Sequence, residues 1–458
     1  MLFHTWPFLL FFAIVYPGYL LLRRTRFGEP WLLIASYIFY GWWNPLYLLL
    51  ILYSTVLDYV VVIRMARSRM RRTWLAVSLV NNLALLGFFK YGSFVTDNLN
   101  ALLASLGVPY ALSAPDVLLP VGISFYTFQS MSYTIDFYRG RIPREKSFIR
   151  FATFVAFFPQ LVAGPIERAK ALLPQLACRP GVTLHDFSDG LSLFVVGLFK
   201  KAALANYLGM YVDSIYAYPQ RHDGPALLLA TFAFAWQIYF DFSGYTDMAR
   251  GVARAMGYRL MLNFNHPYLA DSLSDFWRRW HISLSTWFRD YVYIPLGGNR
   301  HGQGATYRNL LLTFVISGFW HGAAWTFIIW GALHGLGDVL TRPLERSAWY
   351  RRRVPKPVKQ LWVFLFVCLT WVFFRAESVQ DAGAILSAIF SFAWSDPGFP
   401  LMAMALVLSV WAYQWLYESS ARRVLEWAPV RIGLVTAMIL YLCLIPGSPD
   451  RPFIYFQF

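Results

Sequence analysis

The sequence predicts an all-α polytopic membrane protein with about ten to eleven spanning helices and further interfacial or re-entrant ones. Three observations carry that reading. Hydrophobic residues fill 58% of the 458 positions, aromatic residues 19% and charged residues only 14%, where a soluble domain carries about 25% charged. Apolar runs recur from end to end, each near the roughly 17–25 residues that a helix needs to cross a bilayer. The runs are continuous and not alternating, which argues against a strand-built barrel.

In chain order, the run 6–22 has no basic start and no A-x-A-like cleavage site, and "RRTR" follows it, so it reads as a first span and not as a cleaved signal. Residues 31–43 and 46–63 form a hairpin turning at "WWNP"; 74–89 returns. Residues 92–116, with Gly, Pro, Ser and little charge, read as an external loop. The runs 117–137, 148–163, 225–240, 310–333, 358–374, 400–417 and 430–445 complete the set. All belong to one integral-membrane domain, 1–458. Cys178, Cys368 and Cys443 are too scattered for a disulfide framework or a zinc cluster.

The net charge of +16 is unevenly placed. Basic residues gather at 23–26, 64–72, 139–146, 250–259, 351–359 and 422–423, which the positive-inside rule assigns to the cytoplasm. Both termini then lie outside. Orientation and attraction to anionic lipid explain most of this charge; binding of a phosphate-rich donor is the sharper alternative. No nucleic-acid partner is expected.

One segment breaks the alternation. Residues 309–340 hold apolar sequence for one crossing, yet basic stretches flank them on both sides. A helix broken near "WHG" resolves the conflict, and broken backbone at membrane depth is tolerated only against protein or a cavity. His321 would then sit beside a cavity. The stretch 263–300 is too charged to span. At ~100° per residue Trp277, Trp280, Leu284, Trp287, Phe288 and Tyr291 share one face, opposite Asp275, Arg278, Arg279, Arg289 and Asp290. Ser274 can cap this amphipathic helix, and Pro295 with Gly297 and Gly298 ends it. His281 borders the aromatic face; a core histidine bonded to a carbonyl is its plain reading.

These stretches, "FNHPYLADSLSDFWRRWHISLSTWFRDYVYIPLGGNR" and "SGFWHGAAWTFIIWGALHG", closely resemble the membrane-bound O-acyltransferase family, in its bacterial alginate-acetylating branch. "LPVGISFYTFQSMSYTIDFYRG", "FPQLVAGPIER", "QIYFDFSGYTDMARG" and the closing "PFIYFQF" extend the match over nearly the whole chain. His266 in "FNHPY" departs from the pattern. The resemblance implies helices around a central channel, with His321 as the catalytic histidine and His281 as the second polar position. It implies a multi-pass protein of the bacterial inner membrane that passes an acetyl group from a cytoplasmic donor, acetyl-CoA, to periplasmic acetyltransferase partner proteins or to a polysaccharide acceptor. The same motif puts Arg278, Arg279 and Arg289 near the donor entrance, where they bind donor phosphates, a partner or lipid.

The chemistry of the residues agrees. Acyl transfer to a hydroxyl needs a proton acceptor, and neutral imidazole is competent near pH 7. No G-x-S-x-G elbow occurs and no cysteine lies near either histidine. Zinc wants three or four ligands and only two histidines are well placed, so neither a metal nor another bound cofactor is expected. Whether His321 acts as base or carries the acetyl group itself stays open. Two rivals remain: a transporter that moves an acyl group without chemistry, and an O-acyltransferase for cellulose, peptidoglycan or teichoic acid.

Overall fold

The computed structural model describes residues 1–115, 117–391, 397–445, 451 and 453–454. Asp116 of the 92–116 segment, and Pro452 with 455–458 of the closing motif, lie outside the described residues. Among the described residues all regular structure is helical. Among the described residues five helices are long and apolar enough to cross a membrane: Tyr47–Arg67, Arg71–Ser105, Leu184–Tyr216, Gly224–Ala255 and Lys356–Arg375. Four shorter apolar helices, Trp6–Leu22, Val379–Phe390, Leu401–Tyr417 and Ala428–Leu444, accompany them. An all-helical membrane protein is what the composition requires.

Individual segments depart from the sequence expectation for physical reasons. The apolar run 148–163 is only a short helix, Phe148–Ala156, because Pro159 and Pro165 bring a buried set of turns. The long helix Leu184–Tyr216 has no matching run, since Lys200 and Lys201 interrupt its apolar pattern at a π-helical stretch, Lys200–Ala205. Residues 92–105 are not loop; they continue the preceding helix through a π-helical turn, Gly87–Tyr91.

The chain divides into two compact units. The first comprises 1–191 and 249–261. Its helices meet around a buried polar knot: Asp58, fully buried, accepts from Ser78 Oγ at 2.6 Å, from Asn82 Nδ2 at 3.0 and 3.2 Å, and from Ser130 Oγ. Three helices are thereby cross-linked where hydrocarbon offers a polar group no alternative partner. Asp136 pairs with Arg141 at 3.4 Å. Glu167 is buried and accepts from the Met261 N–H at 2.5 Å.

The second unit comprises 192–248 and 262–458. Its core is aromatic: Trp236, Tyr239, Phe264, Tyr268, Phe276, Trp280, Trp330 and Trp371 are buried in mutual ring contact. The helix Gly302–His321 ends at His321, Gly322 and Ala324 are extended, and Trp325–Arg346 begins. Gly318 and Gly331 let these two helices touch. A Cβ on Gly318 would lie 2.2 Å from the Phe327 carbonyl oxygen, and one on Gly331 2.3 Å from that of Phe314, so both crossings demand glycine.

Candidate active site

The amphipathic stretch is not one helix. Ser272, and not Ser274, caps its start by accepting from the Asp275 N–H at 3.1 Å. The helix Leu273–Arg279 stops at Trp280, and a second, Ile282–Phe288, begins after His281. His281 itself takes φ 41°, the left-handed region, an uncommon state that costs about 1–2 kcal/mol and occurs where surroundings impose it. Here the 263–265 backbone imposes it: the Asn265 N–H donates to the Arg279 carbonyl and the Ile282 N–H to that of Asn263, each at 2.9 Å. The expected single aromatic face is therefore cut in two at its middle.

The break drives His281 fully inside. Its Nδ1 lies 3.1 Å from Asn263 Oδ1. That oxygen also accepts from the Ser283 N–H at 3.2 Å and the Ser283 hydroxyl at 3.0 Å. A main-chain N–H donates only, so the Asn263 atom is the oxygen and His281 Nδ1 carries the hydrogen. The lone pair is left on Nε2, the form a proton acceptor needs. Phe242 meets the ring edge-to-face at 4.6 Å and Trp320 at 6.4 Å.

His321 is the last residue of its helix and is 3% exposed. Trp320, Trp330 and Phe374 surround its ring at 5.0, 5.1 and 5.4 Å. The carbonyl end of a helix presents about half a negative charge, which favours a cation formed there. Trp320 is in ring contact with both histidines.

A third imidazole joins them. A continuous helix would turn His334 to the opposite face from His321, but the break refolds the chain, and Trp330 touches both, His334 at 4.9 Å. His334 is fully buried and its Nε2 lies 2.9 Å from Thr370 Oγ1. Asn263 and His334 are polar residues that sequence reasoning did not bring to the site. The repeated "HG" of 321–322 and 334–335 is the available signal for the second.

The three arginines separate. Arg278 and Arg289 line a cavity of about 290 Å³ together with Arg342. Arg342 was visible in the sequence only as part of a basic flank; Asp338 holds it at 2.9 Å. Arg279 is not among the lining residues; it bonds Asp275 at 2.7 Å and Glu418. Ser274, Ser285, Thr286, Thr313 and Ser317 supply hydroxyls to the cavity wall, and Trp277, Phe288 and Phe314 supply apolar surface. Ser317 precedes His321 by one helical turn on the same face. Neither His281 nor His321 is among the lining residues of this cavity, so the expected placement of His321 beside a cavity is met only through Ser317, one helical turn before it.

The remaining sequence candidates are structural or peripheral. Asp241 pairs with Lys201 at 2.9 Å. His301 is exposed at the start of a helix, and His266 is in the left-handed region beside Tyr417.

The family model for the membrane-bound O-acyltransferase family matches residues 138–376. The chain is 46% identical to the probable alginate O-acetylase AlgI of Pseudomonas aeruginosa, over 86% of this chain and 75% of that protein. It is 40% identical to the protein of that name from Pseudomonas putida, over 100% of both. It is also 36% identical to the peptidoglycan O-acetyltransferase of Helicobacter pylori, over 83% of this chain and 77% of that protein. A multi-pass helical chain with this match over most of its length belongs to the membrane-bound O-acyltransferase family.

Proposed function

We propose that this O-acyltransferase takes an acetyl group from acetyl-CoA on the cytoplasmic side of the bacterial inner membrane and passes it outward for O-acetylation of alginate. The cavity carries the reading: arginines at its rim suit the phosphates of the donor, and its apolar and hydroxyl-bearing wall reaches within one turn of His321. Arg278 and Arg289 are the more exposed rim residues. Alginate as acceptor is supported by the names of the relatives that match most of the chain. The Helicobacter relative favours peptidoglycan as the second reading.

In this reading His321 removes the proton from the acceptor hydroxyl as its oxygen attacks the thioester carbonyl. Collapse of the tetrahedral intermediate breaks the C–S bond, and the proton passes from the imidazole to the departing thiolate, giving the ester and free coenzyme A. His281, with its lone pair on Nε2, orients the acceptor or relays the proton. The acceptor hydroxyl belongs to a periplasmic partner enzyme or to the polysaccharide itself. Both chain termini lie in the periplasm, and the basic flanks of 309–340 lie in the cytoplasm. The single domain acts as one unit in this scheme. Transfer of labelled acetyl from acetyl-CoA by the purified protein, with and without periplasmic partner and with alginate or peptidoglycan fragments as acceptor, tests it. Label appearing on alginate supports the reading; label restricted to peptidoglycan gives the second.

A further inference from the structure

The buried pair Lys201 and Asp241 has no part in the chemistry above, nor do Arg451, Phe453 and Ile454. The structure joins the pair to Arg451 and Ile454. Lys201 Nζ and Asp241 Oδ1 are 2.9 Å apart, with side chains 3% and 4% exposed. Burying two charges costs several kcal/mol per ion unless the remaining hydrogen-bonding capacity is used. Main chain uses it here. Lys201 Nζ donates to the Arg451 carbonyl at 3.1 Å, and the Ile454 N–H donates to Asp241 Oδ2 at 2.9 Å.

Between these two bonds Phe453, 1% exposed, packs on Tyr245 at 4.9 Å and on Phe242 at 5.7 Å. Phe242, the neighbour of Asp241 in sequence, is the ring that meets His281 edge-to-face at 4.6 Å. At the other end Arg451 pairs with Asp213, which also binds Arg375 at 2.8 Å. Arg375 follows Phe374, whose ring meets His321 at 5.4 Å. Side-chain contacts therefore link Phe453 to the support of His281, and ion pairs link Arg451 to the residue that follows the Phe374 support of His321.

We propose that Arg451, Phe453 and Ile454 act as a strap, clamped by Lys201 and Asp241, that fixes the orientation of His281 through Phe453 and Phe242. Lys201, Asp241 and Phe453 are positioning residues, since none of them touches the reacting atoms. The proposal rests on the assignment of His281 to the active site. Asn263 holds the imidazole at Nδ1, and Phe242, backed by Phe453, holds its ring against rotation about that bond.

The test is a double-mutant cycle on the full-length protein, measured as acetyl transfer from labelled acetyl-CoA in membranes. Phe453→Ala leaves both main-chain bonds of the clamp possible but removes the ring behind Phe242. It should lower kcat about tenfold or more, as small misplacements of a catalytic group do, with KM for acetyl-CoA unchanged. Phe453→Leu should recover most of the loss. In a His281→Ala background Phe453→Ala should cost nothing further, because the group it positions is gone. Asp241→Asn, which keeps an acceptor for the Ile454 N–H but removes the charge facing Lys201, should show the same coupling. If Phe453→Ala fails to reach the membrane, Phe453→Leu serves in its place, with a smaller loss confined to kcat. An equal fold-loss in both backgrounds, or wild-type kcat in Phe453→Ala or Asp241→Asn, overturns the strap alone. A His281→Ala protein at the wild-type rate overturns the assignment of His281 itself.

Discussion

Replacing Asn263 by alanine removes the acceptor that sets which nitrogen of His281 carries its hydrogen. Asn263 Oδ1 receives the Ser283 N–H, the Ser283 hydroxyl and His281 Nδ1 at 3.2, 3.0 and 3.1 Å. Asn263, His281 and Ser283 are buried, so bulk water does not replace the lost oxygen. The hydroxyl can rotate to another acceptor and the imidazole keeps only the longer contact of its Nδ1 with Ser283 Oγ at 3.4 Å, while the Ser283 N–H is stranded. One stranded and one weakened buried donor at about 1–3 kcal/mol each give a loss of roughly 2–4 kcal/mol. The imidazole then divides between tautomers and ring orientations, and kcat should fall about 10²-fold, the scale of a misplaced catalytic group. Asn263→Asp keeps the acceptor and should retain more activity than the alanine variant. The assay is acetyl transfer at matched membrane content, with thermal unfolding in detergent as the stability readout. An Asn263→Ala protein within about twofold of wild type in kcat, where loss of general acid–base function costs ~10²–10⁴, would refute the role given to this amide.

Other outcomes follow from the same structure. Arg278→Ala and Arg289→Ala should each raise KM for acetyl-CoA by about three- to tenfold, the scale of exposed charge-assisted contacts, with kcat little changed. Arg279→Ala should leave that KM unchanged, since Arg279 serves Asp275 and Glu418. Cysteines introduced at positions 303 and 355 should both label from the cytoplasm; labelling of either from the periplasm alone contradicts the proposed topology. Burial pushes the Glu167 carboxyl up to about 7 against its ordinary 4.5. The native state then binds more protons than the unfolded chain between those values, so stability should fall as pH rises from about 4.5 to 7, by an amount on the order of 3 kcal/mol. Glu167→Gln should flatten that dependence in melting curves; an unaltered profile assigns it to other groups.

The helical membrane class was legible because solvent leaves no choice: apolar runs of spanning length have to satisfy their backbone internally. Helix edges were less legible. Lys200 and Lys201 hide a long helix from any count of apolar residues, since the charge of Lys201 is cancelled by Asp241, some 40 positions later in the chain. The periodicity of 273–291 suggests a continuous helix, because a pattern of side chains does not report the tertiary hydrogen bonds from 263–265 that interrupt it at His281. Those bonds also decide which polar residue stands beside His281. Asn263, 18 positions away, has no marking in sequence that distinguishes it from Asn265, which offers its main chain instead. Arg279 shows the converse. It shares a helical face with Arg278 by spacing, yet Glu418, far along the chain, draws it elsewhere. Local pattern finds the elements; the partners that give each polar side chain its task come from remote segments.

The account stands on His321 as the group that accepts the proton in acyl transfer. His321→Gln tests it most directly: glutamine keeps much of the volume and hydrogen bonding among Trp320, Trp330 and Phe374 but accepts no proton near neutral pH. Measured as labelled acetyl transferred from acetyl-CoA by protein inserted at the wild-type level, the rate should fall by at least ~10²-fold, the minimum expected for loss of a general base. A glutamine variant that keeps more than about a tenth of the wild-type rate would contradict that assignment.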